Sequence, residues 1–163
     1  MKHLLYCPVL PKKCWDQDDR ILAMNGLDGI EIKKIKSAVR NDIIRLYKDA
    51  GWWKPEYDDN TVFIDKIVEN SACFIGAFKN GKMIGMGRAL SDSASDAYIH
   101  DVIVLKAYRK KGIGGRIVKT VVEYLKTKNV DWIGLIGRPG TEEFYRKFGF
   151  SRMKDFIPMI LKD

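Results

Sequence analysis

The chain has 163 residues, 46% apolar and 31% charged, with a formal net charge of +8. That length suits one domain with a real core, and the composition excludes disordered and collagen-like classes. No apolar run approaches the roughly 18 residues of a membrane span, and Met1 to Pro8 holds too short an apolar stretch for a secretory signal.

Residues 1–28 read as an N-terminal appendage, broken by Pro8, Pro11 and the run Asp16-Gln17-Asp18-Asp19-Arg20, and residues 29–163 read as one domain. Ile30 to Ile35 predicts the first strand. Val39 to Ala50 carries Val39, Ile43, Ile44, Leu46 and Tyr47 at helical spacing, with Gly51 as its stop. Asp59-Asn60-Thr61 offers caps for a second helix, Val62 to Asn70. Ala72 to Phe78 and Lys82 to Leu90 flank Asn80-Gly81, a type I′ hairpin signal. Ala97 to Leu105 is the next strand. In the run from Ile113 to about Lys128, Ile113, Ile117, Val118, Val121, Val122 and Leu125 form one helical face. Trp132 to Ile136 is a further strand, before a short helix and a last strand. The order β-α-α-β-β-β-α-β-α-β predicts a single α/β domain with a mixed sheet.

Between the strand Val102-Ile103-Val104-Leu105 and the long helix stands Arg109-Lys110-Lys111-Gly112-Ile113-Gly114-Gly115-Arg116. A basic, glycine-rich turn that opens a helix is a phosphate-binding device, because the first-turn N–H groups point outward and the helix dipole favours an anion. Glycines let the backbone approach the ligand. A Walker A loop is excluded, since Gly115 is followed by Arg116-Ile117. A dinucleotide fingerprint is excluded by the spacing of Gly112, Gly114 and Gly115.

The turn resembles the pyrophosphate loop of the GCN5-related N-acetyltransferase (GNAT) family, Q/R-x-x-G-x-G/A, read here as Arg109-Lys110-Lys111-Gly112-Ile113-Gly114. A second signature, F-Y-x-x-x-G-F, stands about 30 residues on as Phe144-Tyr145-Arg146-Lys147-Phe148-Gly149-Phe150, after the strand Trp132 to Ile136. The resemblance covers residues 29 to 163. It implies a mostly antiparallel mixed sheet with helices on both faces and a cofactor cleft between two splayed parallel strands, Tyr98–Leu105 and Trp132–Ile136. It also implies a last strand pair, acetyl-CoA as cofactor, and transfer of an acetyl group to an amine through a tetrahedral intermediate.

By the same resemblance, the backbone of Val102, Ile103 and Val104 would bind the pantetheine arm, with the N–H near Val104 facing the oxyanion. Arg109, Lys110, Lys111, Gly112, Ile113, Gly114, Gly115 and Arg116 would hold the phosphates. Phe144 and Thr141 complete the cofactor set, with one departure. Many members carry Asn where this chain has Thr141, which keeps the ability to cap Glu142-Glu143. Tyr145 would serve as the acid toward the departing thiolate. The amine, with a pKa near 10.4 as an alkyl ammonium, must lose a proton first. His100 and Asp101 are the base candidates, set by alternation on opposite faces of their strand; a water chain is the third.

The acceptor side draws on the loop between the first two helices, where Tyr47, Trp52, Trp53, Glu56 and Tyr57 interleave aromatic faces with carboxylates. That suits a cationic amine of a small molecule, an aralkylamine, polyamine or amino sugar. The alternatives are packing of the helix pair by the two tryptophans, a catalytically silent acyl-CoA-binding module, and a protein lysine acetyltransferase. A nucleic-acid partner is not expected, since the lysines are scattered and no recognition motif occurs. Cys7, Cys14 and Cys73 have no framework spacing, and Cys7 and Cys14 with His3 match no zinc pattern, so free thiols, no metal and a cytoplasmic setting are the expectation. A homodimer remains open.

Overall fold

The computed structural model describes residues 29–161 and the backbone of Met24–Asn25. Most of the expected appendage, with His3, Cys7 and Cys14, lies outside the described residues. Met24–Asn25 forms a short strand β1, paired antiparallel with β2 (Ile30–Lys34). There follow α1 (Arg40–Ala50), α2 (Phe63–Glu69), β3 (Cys73–Lys79), β4 (Lys82–Ser91) and β5 (Asp96–Val104). The chain continues with α3 (Ile113–Thr127), β6 (Trp132–Leu135) and a short α4 (Glu142–Arg146).

The sheet order is β1-β2-β3-β4-β5-β6, antiparallel throughout except for the parallel pair β5–β6. A parallel neighbour needs a crossover, and α3 supplies it. The β3–β4 hairpin closes through Asn80 and Gly81, both at positive φ (50° and 75°), as a type I′ turn requires.

Helices cover both faces. On one, Ile113, Ile117, Val121 and Leu125 of α3 pack on Ile32, Ile75 and Ile99. On the other, Ile43, Leu46 and Ile64 of α1 and α2 pack on Phe74, Met83, Met86 and Ile103. Each such side chain contributes about 1.5–3 kcal/mol on leaving water. The alternation along β3 thus divides one strand between two cores.

The feature that positions the site is an irregularity in β5. Its pairing with β6 runs from Asp96↔Trp132 to Ile99↔Leu135 and ends there. Its pairing with β4 shifts register between Met86 and Arg88, and Asp101 sits at φ 53°. Ile99 and Val102 both pack on the α3 side, with two residues between them instead of one. His100 and Asp101 therefore share the opposite face. The expectation that they lie on opposite faces is corrected: the extra residue of a β-bulge cancels the alternation.

A second correction concerns the last strand. Among the described residues no strand follows α4, and 151–161 are irregular. A strand exists by pairing, and residues 156–161 meet no sheet edge within the single chain; a turn at Lys154–Asp155, with Asp155 at φ 64°, stands before them.

Candidate active site

Where β5 leaves β6, a cleft of about 380 Å³ opens, lined by Val102, Ile103 and Val104 on one side and by Gly51, Trp52 and Arg138 across from them. The side chains of Val102 and Val104 are turned toward α3, close to Gly87 and Gly85 of β4, so they pack and do not line a ligand path by chemistry of their own. Their backbone matters more. Leu105 N–H donates to Ile84 of β4, so the pair Gly85↔Val104 is the non-hydrogen-bonded kind and Val104 turns its own N–H and C=O toward the β6 side. The Val104 carbonyl accepts from Arg109 Nε at 2.8 Å.

Arg109 is thereby a brace. Its Nη2 also reaches Asp49 Oδ2 at 3.2 Å, and the same oxygen accepts the Lys106 N–H at 3.1 Å. The last turn of α1 is tied to the end of β5 in this way. Downstream, Lys110 (φ 60°) and Gly112 (φ 77°) take left-handed backbone, and Gly112 is the N-cap of α3 with no side-chain cap. Arg116 N–H is the first to close a helical bond, back to Gly112 O. The amides of Ile113, Gly114 and Gly115 precede it and have no helical acceptor, which makes an anion cradle. A Cβ on Gly114 would stand 3.4 Å from Phe144 Cζ, so the small residue lets α4 pack against the first turn of α3. Lys111 Nζ lies near Ala107 O, and Arg116 Nη2 donates to Ile30 O on the sheet; both are spoken for locally.

The α1 end places Trp52. Gly51 at φ 72° caps the helix, its N–H bonding Lys48 O while Trp52 N–H bonds Tyr47 O, a Schellman pattern. Trp52 lines the cleft, and its indole Nε1 is buried without a hydrogen-bond partner among the described residues. The Arg138 guanidinium lies over its ring at 4.9 Å. The other acceptor-side candidates go elsewhere. Trp53, Tyr57 and Phe63 pack on one another, Trp53 Nε1 bonding Asp58. Glu56 is exposed on the turn Pro55–Tyr57. Tyr47 is on the buried face of α1 with its hydroxyl on Asp101.

Asp101 is held by two donors, Arg88 Nε at 2.6 Å and the Tyr47 hydroxyl at 2.9 Å. Burial raises the Tyr47 phenol far above its ordinary value, and the Asp101 carboxylate adds to the shift. His100 is exposed; partial burial lowers its pKa first, then the Arg88 cation, with Asp101 opposing, so the ring is neutral at pH 7.

Tyr145 is half-buried, and burial alone raises its pKa. It lines a second cavity of about 530 Å³ along β6, with Leu135, Thr141 and Phe150. The two cavities meet at Arg138, which lines both. Thr141 does not cap α4 as expected: its hydroxyl donates to Arg138 O at 2.7 Å, while its own carbonyl receives the Phe144 and Tyr145 N–H groups. Sequence reasoning missed Arg88, Asp49 and Arg138. Arg138 carried a weak signal, standing just past a cofactor-side strand; the other two meet their partners only through the tertiary fold.

With this geometry in place, comparison with known proteins identifies the class. The sequence model of the acetyltransferase (GNAT) family matches residues 38–150. The chain belongs to that family and is an N-acetyltransferase. It is similar to an uncharacterized N-acetyltransferase, ycf52, of Gracilaria tenuistipitata var. liui, at 24% identity over 95% of this chain and 90% of the relative. It is 35% identical to GCN5-related N-acetyltransferase 3, chloroplastic, of Arabidopsis thaliana, over 75% of this chain and 61% of that one. A GNAT-family acetyltransferase of known structure from Streptococcus pneumoniae TIGR4 superposes with a TM-score of 0.71 at 25% identity, covering 82% of this chain and 98% of the other. Among the described residues no helix is long and apolar enough to cross a membrane.

Proposed function

We propose that this N-acetyltransferase moves the acetyl group of acetyl-CoA to the primary amine of a small molecule. The observation that carries the reading is the divergence of β5 from β6 beyond Ile99 and Leu135, with the Val104 N–H turned into the gap and the glycine turn at its far end. The residues present fit such a ligand: unpaired strand backbone for an amide-bearing arm, and first-turn amides for its phosphates. When bound, acetyl-CoA supplies an activated acyl group and a thiol leaving group.

The chain's own groups then do three things. The Val104 N–H, turned away from β4, would donate to the acyl oxygen, a preorganised donor worth roughly 3–4 kcal/mol as charge develops there. His100, on the Asp101 face of β5 and outside the lining of the cleft, would accept the amine's proton through intervening water. Tyr145 keeps its proton to high pH and donates a hydrogen bond toward the sulfur as it leaves. A small acceptor would approach from the α1 side of the cleft, where Gly51 and Trp52 stand across from Val102 to Val104.

The test begins with calorimetry of acetyl-CoA against the wild type and a Gly112→Asp, Gly114→Asp double variant. Micromolar binding that the variant loses supports the site. Thiol release with small amines and with a lysine peptide then follows. Turnover of the peptide and of no small amine would overturn the small-molecule reading.

A further inference from the structure

The cleft between β5 and β6 has an uneven charge. Among the described residues that line it stand four cations, Lys48, Lys106, Arg109 and Arg138, and one carboxylate, Asp49. Asp49 is committed, accepting from Arg109 and from the Lys106 N–H. Lys48 is held by Asp58 at 3.2 Å. The phosphate cradle is elsewhere, since none of Gly112 to Gly115 lines this cavity. Arg138 follows Leu135 by three residues, as Val102 follows Ile99. Counting along the parallel pair therefore sets it level with Val102, before the chain runs on to the glycine turn.

We propose that Arg138 binds the acceptor, and that the acceptor is a zwitterion, an amine that also carries a carboxylate or a phosphate ester. The proposal rests on the small-molecule reading above and narrows its class. The arginine is set up for such a contact. Its backbone carbonyl accepts the Thr141 N–H at 3.1 Å and the Thr141 hydroxyl at 2.7 Å, which fixes the turn after β6. Its guanidinium lies over the Trp52 ring at 4.9 Å. A guanidinium seated on an aromatic face keeps the N–H fork around its rim free. Among the described residues no carboxylate pairs with that fork. Two parallel N–H···O bonds to a carboxylate or phosphate are what its geometry matches.

The field of the cleft ranks the acceptors. A polyamine brings two or more positive charges to a lining that offers them no open carboxylate. The acids of the neighbouring loop do not help, because Glu56 is exposed on its own turn and Asp58 is taken by Lys48 and Trp53. An amine with no second charge can enter, but it leaves the Arg138 fork to water. A zwitterion brings no net charge and supplies the missing partner. The cationic lining then favours loss of the ammonium proton, which attack on the acyl carbon requires.

The test measures kcat/KM by thiol release at saturating acetyl-CoA for two matched pairs, γ-aminobutyrate with butylamine and phosphoethanolamine with ethanolamine, and for putrescine. The expected result is a preference of about tenfold or more for the anionic member of one pair, and that pair tells carboxylate from phosphate. Arg138→Met removes the charge, and the native side chain is exposed with no hydrogen bond of its own among the described residues. The variant should therefore melt as the wild type does and bind acetyl-CoA as tightly by calorimetry, while the preference shrinks to about twofold or less. Arg138→Glu should turn the preference toward putrescine. Equal use of both members of each pair, putrescine as the best acceptor of the wild type, or a preference that survives Arg138→Met would overturn the proposal and leave the small-molecule reading standing. Turnover of a lysine peptide with none of these amines would overturn both.

Discussion

Arg88 Nε and the Tyr47 hydroxyl converge on a single oxygen of Asp101, at 2.6 and 2.9 Å, at the residue where β5 bulges away from β6. Three elements, β4, β5 and α1, are pinned there, with the Arg88 and Asp101 side chains only 14% and 19% exposed. A left-handed backbone costs a non-glycine residue roughly 1–2 kcal/mol, and the two bonds offset that cost. Asp101 is thus an anchor for the splay. Asp101→Ala would leave a guanidinium and a phenol without their acceptor, at about 3 kcal/mol. The melting temperature should fall by roughly 6–12 °C, and acetyl-CoA affinity should fall with it. A variant with unchanged melting and a collapsed kcat would instead make Asp101 the base.

His100 neighbours this pin without joining it. Its pKa is held below 6.5 by partial burial and then by Arg88, against the pull of Asp101. Removing the cation with Arg88→Met should move the titration up, and Asp101→Asn should move it down, both read from the ring proton shifts by NMR. The folded state disfavours the charged ring, so the group's contribution to stability is present above about pH 6.5 and is lost as pH falls through the folded value. Equal titration in all three proteins would remove Arg88 and Asp101 as causes.

The elements were legible because their signals are local. Helical spacing from Val39, the Asn80-Gly81 turn and the apolar face from Ile113 each predict an element that the structure contains within a residue or two. The bulge at Asp101 was not legible. Nothing in His100-Asp101-Val102 marks a left-handed residue, and the distant Arg88 and Tyr47 are what hold it. The aromatic loop was half legible: Trp52 lines the cleft, while Trp53 and Tyr57 pack on Phe63. Neighbours in sequence split because Gly51 closes α1 and turns the chain between them. The final strand failed for a related reason, since a strand pattern names no partner edge.

Gly112 separates conformational from steric need. No atom lies within 4 Å of a Cβ built there, yet its φ is 77°. Gly112→Ala should therefore cost about 1–2 kcal/mol with no clash to relieve. If the chain relaxes to escape that strain, the first-turn amides of α3 are re-aimed. Acetyl-CoA binding should weaken tenfold or more by calorimetry, with the melting temperature down by only a few degrees. Unchanged affinity would place the phosphates elsewhere.

Tyr145→Phe tests the acid with little structural disturbance. The phenol pKa is raised by burial alone, with no hydrogen bond contributing, so removal of the hydroxyl orphans nothing among the described residues. Loss of a positioned proton donor typically costs about 10²–10⁴-fold. The expectation is a fall in kcat of at least tenfold, with KM for acetyl-CoA within about twofold and an unchanged melt. A proportional rise in KM would reassign the ring to packing.

Cys73 sets an alkaline limit on stability. It is fully buried on β3, and burial pushes its thiol up to about 12, with Lys34 opposing weakly. In the unfolded chain the thiol releases its proton near its ordinary value of 9.0, whereas the folded core retains it. A raised folded pKa gives stability that is complete below pH 9 and is lost as pH climbs toward 12, at about 1.4 kcal/mol per unit. In urea unfolding of the wild type the thiol alone should therefore remove roughly 2–3 kcal/mol of stability between pH 8.5 and pH 11. In Cys73→Ala that slope should flatten, although its stability at pH 8.5 starts lower by the lost packing. The residual slope above pH 10 belongs to the phenols that burial raises, Tyr47 foremost and Tyr145 with it, and Tyr47→Phe should reduce it. Parallel pH slopes in the wild type and Cys73→Ala would show that the thiol ionises as freely inside the sheet as in water.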